Sequence, residues 1–343
     1  MYRIPSRNTI AANTVAAMAV AVATGICPLQ ARAEEVRVVG GFGLCYLPVY
    51  LALDKKLIEK HAAAAGLSDI KASFQSLSNG PAISDALLSG NAEIAMAGVS
   101  VMLNVSDKSG GGNPVKGMMA ICDSPIYFNT IDSRIRSIRD FQDTDRLAMA
   151  AGRGTQHSLV LEMGAAQAFG WDQRHRFDSL AVSMSHPDGV MALKSGGSVI
   201  KTHVTTVPFI QMELKIPGVR TILSSYDVAG GRHTLITAYA AQKWRLANPK
   251  LFQATLDAFS EAMQIINADK RAAAELFVRM EPSGLSVEEI DGVLRDENMM
   301  YFSPTPRKVM VWADYMAKTG LLKKPPPSWK DAYFDNIHGA DGD

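Results

Sequence analysis

Excess charge of either sign is missing from this chain: 35 Lys and Arg stand against 34 Asp and Glu over 343 residues. Nucleic acids and anionic membrane surfaces are recognised by clustered basic side chains, so neither partner is expected. Cysteine is scarce, with three in all, and the seven histidines show no His-x-x-x-His spacing and the cysteines no Cys-x-x-Cys. A metal centre is therefore not expected. No Gly-x-Ser-x-Gly elbow occurs, so a Ser-His-Asp hydrolase has no nucleophile in a recognisable setting. Gly110-Gly111-Gly112 is not followed by Lys-Ser or Lys-Thr and is no phosphate loop. The dinucleotide spacing that begins at Gly41-x-Gly43 fails at Tyr46, where a small residue is required. Nothing so far calls for a catalytic residue or a cofactor.

A membrane-spanning run of about 20 apolar residues is also lacking. The nearest approach, residues 10–26, is shorter, uncharged and interrupted by Asn13. It follows Arg3 and Arg7 and precedes Ala31-Arg32-Ala33, the pattern of an export leader cleaved after Ala33, which places the mature chain in the periplasm. Its removal takes Arg3, Arg7 and Arg32 and no acids, leaving 32 basic against 34 acidic side chains in 310 residues. That length suits two lobes better than one core. Cys27 leaves with the leader. Cys45 and Cys122 remain, and the sequence leaves open whether they pair or stay separate thiols.

What is present is organised around residues 36–59. Val36-Arg37-Val38-Val39 reads as a strand, Gly40-Gly41-Phe42-Gly43 as a tight turn, and the run from Pro48 as a helix. Such a loop can bring bare amides to an anion or a carbonyl, because glycine has no Cβ and the helix N-terminus is electropositive. Ser78-Asn79-Gly80-Pro81 then caps a second helix. Leu147 to Ala150 with Gly152-x-Gly154 and a helix from Ser158 repeats the opening unit. Residues 192–200 also match 86–94 at five of nine places without a gap. The chain thus predicts two α/β lobes of similar build, 34–122 with 225–343 and 123–224. Phe252, Leu256, Phe259, Met263 and Ile266 form one apolar helical stripe, read as core.

In this order and spacing the residues resemble the periplasmic solute-binding proteins of ABC importers of the nitrate, sulfonate and taurine class. The resemblance spans roughly residues 36–338. It rests on the opening strand with its Pro-led helix, on Ser89-Gly90-x-x-Glu93-Ile94-Ala95, on His203-x-Thr205-x-x-Pro208-Phe209, and on Phe302-Ser303-Pro304-Thr305-Pro306 with Ser328-Trp329-Lys330-Asp331. Val204, Val207 and Val199 depart from that family's pattern. The resemblance implies a type II periplasmic binding fold, two α/β lobes with a ligand cleft between them and two crossover strands. It implies a monomeric carrier, not an enzyme, that takes a small organic anion to a permease and ATPase in the inner membrane. A related enzyme class on this fold, the thiamine-pyrimidine synthases, uses a cysteine-rich iron-binding segment that this chain lacks; a sensing partner of a membrane receptor would read alike.

Ligands in open α/β sheets sit beyond strand C-terminal ends. The expected ligand-binding residues are Gly43, Leu44, Tyr46, Ser78, Asn79, Ser100, Gly154, Thr155, Gln156, His203 and Thr205. For Ser78, Asn79, Thr155 and Gln156, helix capping is compatible with ligand contact. A lone His203 after a strand serves equally as a hydrogen-bonded structural residue or as a donor to the anion, and Arg153 as a solvated loop charge or a carboxylate partner.

Overall fold

The computed structural model describes residues 34–150, 152–196 and 199–343. The leader expected over 1–33 lies outside them, as do Ala151, Gly197 and Ser198. In chain order the strands are β1 (Glu34–Gly40), β2 (Ile70–Ser76), β3 (Ile94–Gly98), β4 (Val115–Asp123), β5 (Tyr127–Thr130), β6 (Arg146–Met149), β7 (Ala181–Ser183), β8 (Ile200–Thr205), β9 (Arg220–Ser224), β10 (Thr234–Ala241) and β11 (Tyr301–Phe302). They form two sheets, ordered β11-β4-β10-β3-β1-β2 and β7-β6-β8-β5-β9.

The internal echo in the sequence has a structural counterpart. β1 runs parallel to β2 and β3, and β3 meets β10 antiparallel. In the second sheet β6 runs parallel to β7 and β8, and β8 meets β5 antiparallel. The matching windows end on Ile94 and Ile200, the first residues of β3 and β8. β3 is buried from Ile94 to Ala97, and β1 at Val36 and from Val38 to Gly40, as expected of parallel strands with both faces covered. Arg37 on β1 is tied to Glu93 just before β3 by an ion pair of 2.6 Å.

Helix starts follow the capping residues. Asn79 accepts from the Ala82 N–H at 3.0 Å at the head of helix Gly80–Leu88, with Pro81 in its first turn. Thr155 caps helix Gln156–Phe169, and Ser185 caps helix His186–Lys194 with Pro187 in its first turn. The apolar stripe of helix Pro249–Ala268 is buried at Phe252, Leu256, Phe259, Met263 and Ile266, packing on helices Leu47–Asp54 and Leu57–Ala64. Among the described residues no helix is long and apolar enough to cross a membrane.

The chain passes from the first sheet to the second between Asp123 and Tyr127 and returns between Ser224 and Thr234. Side chains lock these two passages together. Thr234 Oγ1 donates to Asp123 at 3.0 Å, and Ser225 Oγ accepts from the Ile126 N–H at 2.8 Å. β11 adds to β4 beside them, with Tyr301 opposite Asp123.

Cys45 and Cys122, whose pairing the sequence left open, are joined as a disulfide with Cα atoms 5.6 Å apart across 77 residues. It ties the glycine loop to the end of β4, next to the passage into the second sheet. Closing a loop of that length in the unfolded chain corresponds to about 4 kcal/mol on the chain-entropy scale, with about 2–4 kcal/mol typical of measured bonds. Reduction, or Cys45→Ala with Cys122→Ala, is expected to lower the stability read from urea unfolding by about 2–4 kcal/mol. Coincident curves for oxidised and reduced protein would contradict this.

Candidate functional site

Between the two sheets lies a cavity with about 80 Å³ open to the centre of a water molecule. Counted by the positions a water centre can take, this is room for several waters or for a small organic molecule. Its walls come from both sheets: Asn79 and Gly80, Gly98, Thr155 and Gln156, and His186 all line it. These are the heads of helices Gly80–Leu88, Val99–Ser109, Gln156–Phe169 and His186–Lys194. Four helix N-termini therefore converge on one small space, each contributing about half a unit of positive charge. Tyr46, Ile83 and Val101 supply apolar wall. Among the described residues, no Lys or Arg lines the cavity, Arg153 included.

Of the residues expected from sequence, Tyr46, Ser78, Asn79, Thr155 and Gln156 line this cavity. Gly43, Leu44, Ser100, Gly154, His203 and Thr205 do not, and each has a structural reason. The Gly43 amide, expected to be bare, donates to both oxygens of Glu281 at 2.8 and 3.1 Å. The Tyr50 hydroxyl also donates to Glu281, at 2.8 Å. Burial pushes this carboxyl up from its ordinary range. The loop's anion position is thus filled by the protein's own acid. Gly43 has φ of +113°, and a Cβ there would come within 2.9 Å of the Val207 carbonyl. Leu44 is fully buried and its N–H donates to that same carbonyl at 3.2 Å, so the loop touches the second sheet's side of the cleft. The neighbour, Cys45, lines the cavity instead. The Gly154 amide is taken by Ser158 Oγ at 3.0 Å. Ser100 and Thr205 are completely buried away from the cavity.

His203 is the main correction. It sits in β8 between β6 and β5, fully buried, and its Nδ1 bridges to the equally buried Glu213. Helix Phe209–Leu214 carries Glu213 to the ring. Gly189 packs so closely that a Cβ would lie 2.4 Å from His203 Cε1. The ring's other nitrogen meets His186 Nδ1 at 3.2 Å. Thr206, which the internal echo sets at the same strand end, does line the cavity, and His186, His157, Ala150 and Val207 line it without being among the expected residues. A signal for one of them existed. The 106-residue offset of the echo, run back to the helix start, pairs Gly80-Pro81 with His186-Pro187.

Gln156 is buried and fixed: its Nε2 donates to the Thr234 carbonyl at 3.0 Å, and its Oε1 has no partner among the described residues. Burial holds His186 and His157 well below the ordinary imidazole range, so both rings are neutral near pH 7. Elsewhere, Glu162, His175 and Asp178 bring three potential metal ligands together. Glu162 there already accepts from the Tyr315 hydroxyl at 3.2 Å.

Neither a scan against protein-family models nor a search of curated proteins by sequence finds a match. Solved structures do match. The alkanesulfonate-binding protein SsuA of Xanthomonas axonopodis pv. citri, bound to MOPS, superposes with a TM-score of 0.66 at 17% identity, over 86% of this chain and 96% of that one. The periplasmic aliphatic sulphonate-binding protein SsuA of Escherichia coli gives 0.64 at 17%, over 89% and 98%. The periplasmic nitrate-binding protein NrtA of Synechocystis PCC 6803 gives 0.65 at 14%, over 84% and 82%. The chain has the two-sheet α/β fold of periplasmic binding proteins.

The buried histidines make stability depend on pH. His233, in the return passage, is held at about 4 by burial against an ordinary 6.5, His157 is held at about 3, and His186 is also lowered. Below pH 6.5 the unfolded chain takes up protons that the folded chain refuses until pH nears 4, so stability present above 6.5 is lost on acidification. Each ring contributes up to about 1.4 kcal/mol per pH unit. Asp123, raised by burial to about 6, and Glu281 and Glu162, also raised by burial from a lower ordinary range, work the other way with one proton each. The urea midpoint is expected to fall between about pH 7 and 5, and His233→Phe to make the fall shallower. A midpoint that holds or rises would contradict the three buried neutral rings.

Proposed function

We propose that this chain is an extracytoplasmic solute-binding protein that captures a small molecule between its two sheets and delivers it to a membrane permease and ATPase of an ABC importer. The observation that carries the reading is the convergence of four helix N-termini, from both sheets, on one cavity of small-molecule size. Helix ends favour a negative or electron-rich group by about 0.3–1 kcal/mol each. That part of the expected small organic anion, a sulfonate, nitrate or carboxylate-like solute, has support: an electronegative atom faces the helix starts. The likeness in fold to sulfonate- and nitrate-binding proteins points the same way.

The leader pattern and the disulfide agree with an oxidising compartment outside the cytoplasm. We read the chain as a carrier and not as an enzyme, because among the described residues of the cavity lining no nucleophile is hydrogen-bonded to a base; we read it as monomeric with the carriers it resembles. The cysteines described are joined to each other and offer no thiolate ligands.

A thermal-shift screen of the mature chain against small anions, amides, sugars and amines tests this. A ligand at a hundred times its Kd stabilises by about 2.7 kcal/mol, which for a chain of this size is a rise of roughly 5 °C. Ser78 lies exposed at the cavity wall, so Ser78→Trp should block entry while leaving the unliganded melting temperature unchanged. The reading requires at least one solute to shift the wild type and not the variant. No shift with any solute, or equal shifts in both proteins, would refute it.

A further inference from the structure

The polar groups of the cavity specify more than its size, and the inference that follows rests on the carrier reading. Gln156, on the cavity wall, carries a buried side-chain oxygen that no donor among the described residues meets. Its amide orientation is settled by the Nε2 bond to the Thr234 carbonyl at 3.0 Å, since the reversed amide would set two oxygens against each other. Gly98 lies against Oε1, so closely that a Cβ there would be 2.5 Å away. A buried acceptor left without a donor is costly, and a donor on the ligand would recover that cost.

His186 supplies the complementary group. Behind it runs a buried chain. Thr221 Oγ1 donates to Asn129 Oδ1 at 2.8 Å, Asn129 Nδ2 donates to Glu213 Oε2 at 3.0 Å, Glu213 Oε1 bridges to His203 Nδ1, and His203 Nε2 meets His186 Nδ1. Glu213 and His203 are both without solvent contact, and no Lys or Arg pairs with Glu213 among the described residues. An uncompensated charge in such a place costs several kcal/mol. The pair is net neutral only when it holds two protons, one in the Glu213–His203 bridge and one on His203 Nε2. The second proton must point at His186 Nδ1, which then accepts. A neutral His186 accepting at Nδ1 carries its own proton on Nε2 and is a donor there.

Charge decides the rest. An ionised ligand would shed its water into a space with no cationic side chain among the described residues, with neutral His157 and His186 and with the unpaired Gln156 oxygen. The helix ends favour negative charge in this space, and the desolvation of a full charge opposes it. An uncharged group meets the same helix ends without that cost.

We propose that the cavity takes a small uncharged molecule with a hydrogen-bond donor beside an acceptor, as in a flat carboxamide. Gln156 Oε1 reads the donor, and His186 Nε2–H and the helix starts read the acceptor. Glu213 and His203 are positioning residues that set the sense of His186.

Benzamide, benzoate and benzenesulfonate share one flat body and differ in charge and donor. Isothermal titration of the mature chain should give benzamide a Kd at least tenfold below both anions. Gln156→Met, close in shape and without the acceptor, should remove most of that margin; its urea midpoint shows whether it is folded. Nitrogen NMR of the wild type gives a readout independent of any ligand: His186 Nε2 should be protonated and Nδ1 not. Anions that bind as tightly as benzamide, a margin that survives in folded Gln156→Met, or a protonated His186 Nδ1 would each overturn the proposal. So would failure of all three probes to bind. The carrier reading is decided separately, by whether any solute of the wider screen shifts the wild type.

Discussion

Thr234 stands where the chain re-enters the first sheet, and more of the molecule depends on its hydrogen bonds than on those of any other residue described above. Its hydroxyl donates to Asp123 and accepts from the Arg307 N–H at 2.9 Å; its own N–H reaches the Arg307 carbonyl at 3.1 Å. Its carbonyl orients Gln156 from the second lobe. One residue thus fixes the spacing of the two passages between sheets, anchors the C-terminal segment, and aims an amide at the cavity. The joint is dry and polar: Asp123, Ser225, His233 and Thr234 are all fully buried. In such surroundings a satisfied network specifies geometry, and a missing partner is costly. Asp123 shows the cost, for its second oxygen lacks a hydrogen bond, Arg307 Nε stands 3.5 Å off, and burial raises its pKa.

The same economy of partners shapes the site. Each lobe contributes a glycine loop and a helix start, yet in both loops the glycine amide is satisfied internally, by Glu281 on Gly43 and by Ser158 on Gly154. What remains open to a solute is the heads of four helices, a fixed amide oxygen and a histidine. Recognition here rests on dipoles and hydrogen bonds held by buried partners, not on opposite charge. Such a site discriminates by donor and acceptor pattern, since a mismatched ligand strands a buried polar group.

Much of this was legible in the sequence, and the failures have a common physical origin. The β-branched run at Val36, the Asn79 and Thr155 caps with their first-turn neighbours, and the stripe from Phe252 to Ile266 are local signals, and the structure places them as strand, helix starts and core. The echo between 86–94 and 192–200 located the equivalent strands β3 and β8. What could not be read were contacts between residues far apart in the chain. Gly43 seemed free because its partner Glu281 lies 238 residues away. The Cys45–Cys122 bond depends on strand β4 meeting the glycine loop, which no spacing reveals. The echo sets His203, Thr205 and Thr206 at the end of one strand; His203 and Thr205 are packed within β8, and Thr206, just past its end, reaches the cavity.

The most direct measurement of the central claim, that a solute is held between the two sheets at the helix starts, is a crystal structure of the mature chain with the tightest binder from the solute screen. The account predicts ligand density enclosed by Tyr46, Val101, Gln156 and His186, with a polar atom of the ligand within hydrogen-bond distance of Gln156 Oε1. Density elsewhere, for instance in the surface groove between Leu214 and Met299, with the inner cavity holding water alone, would contradict it.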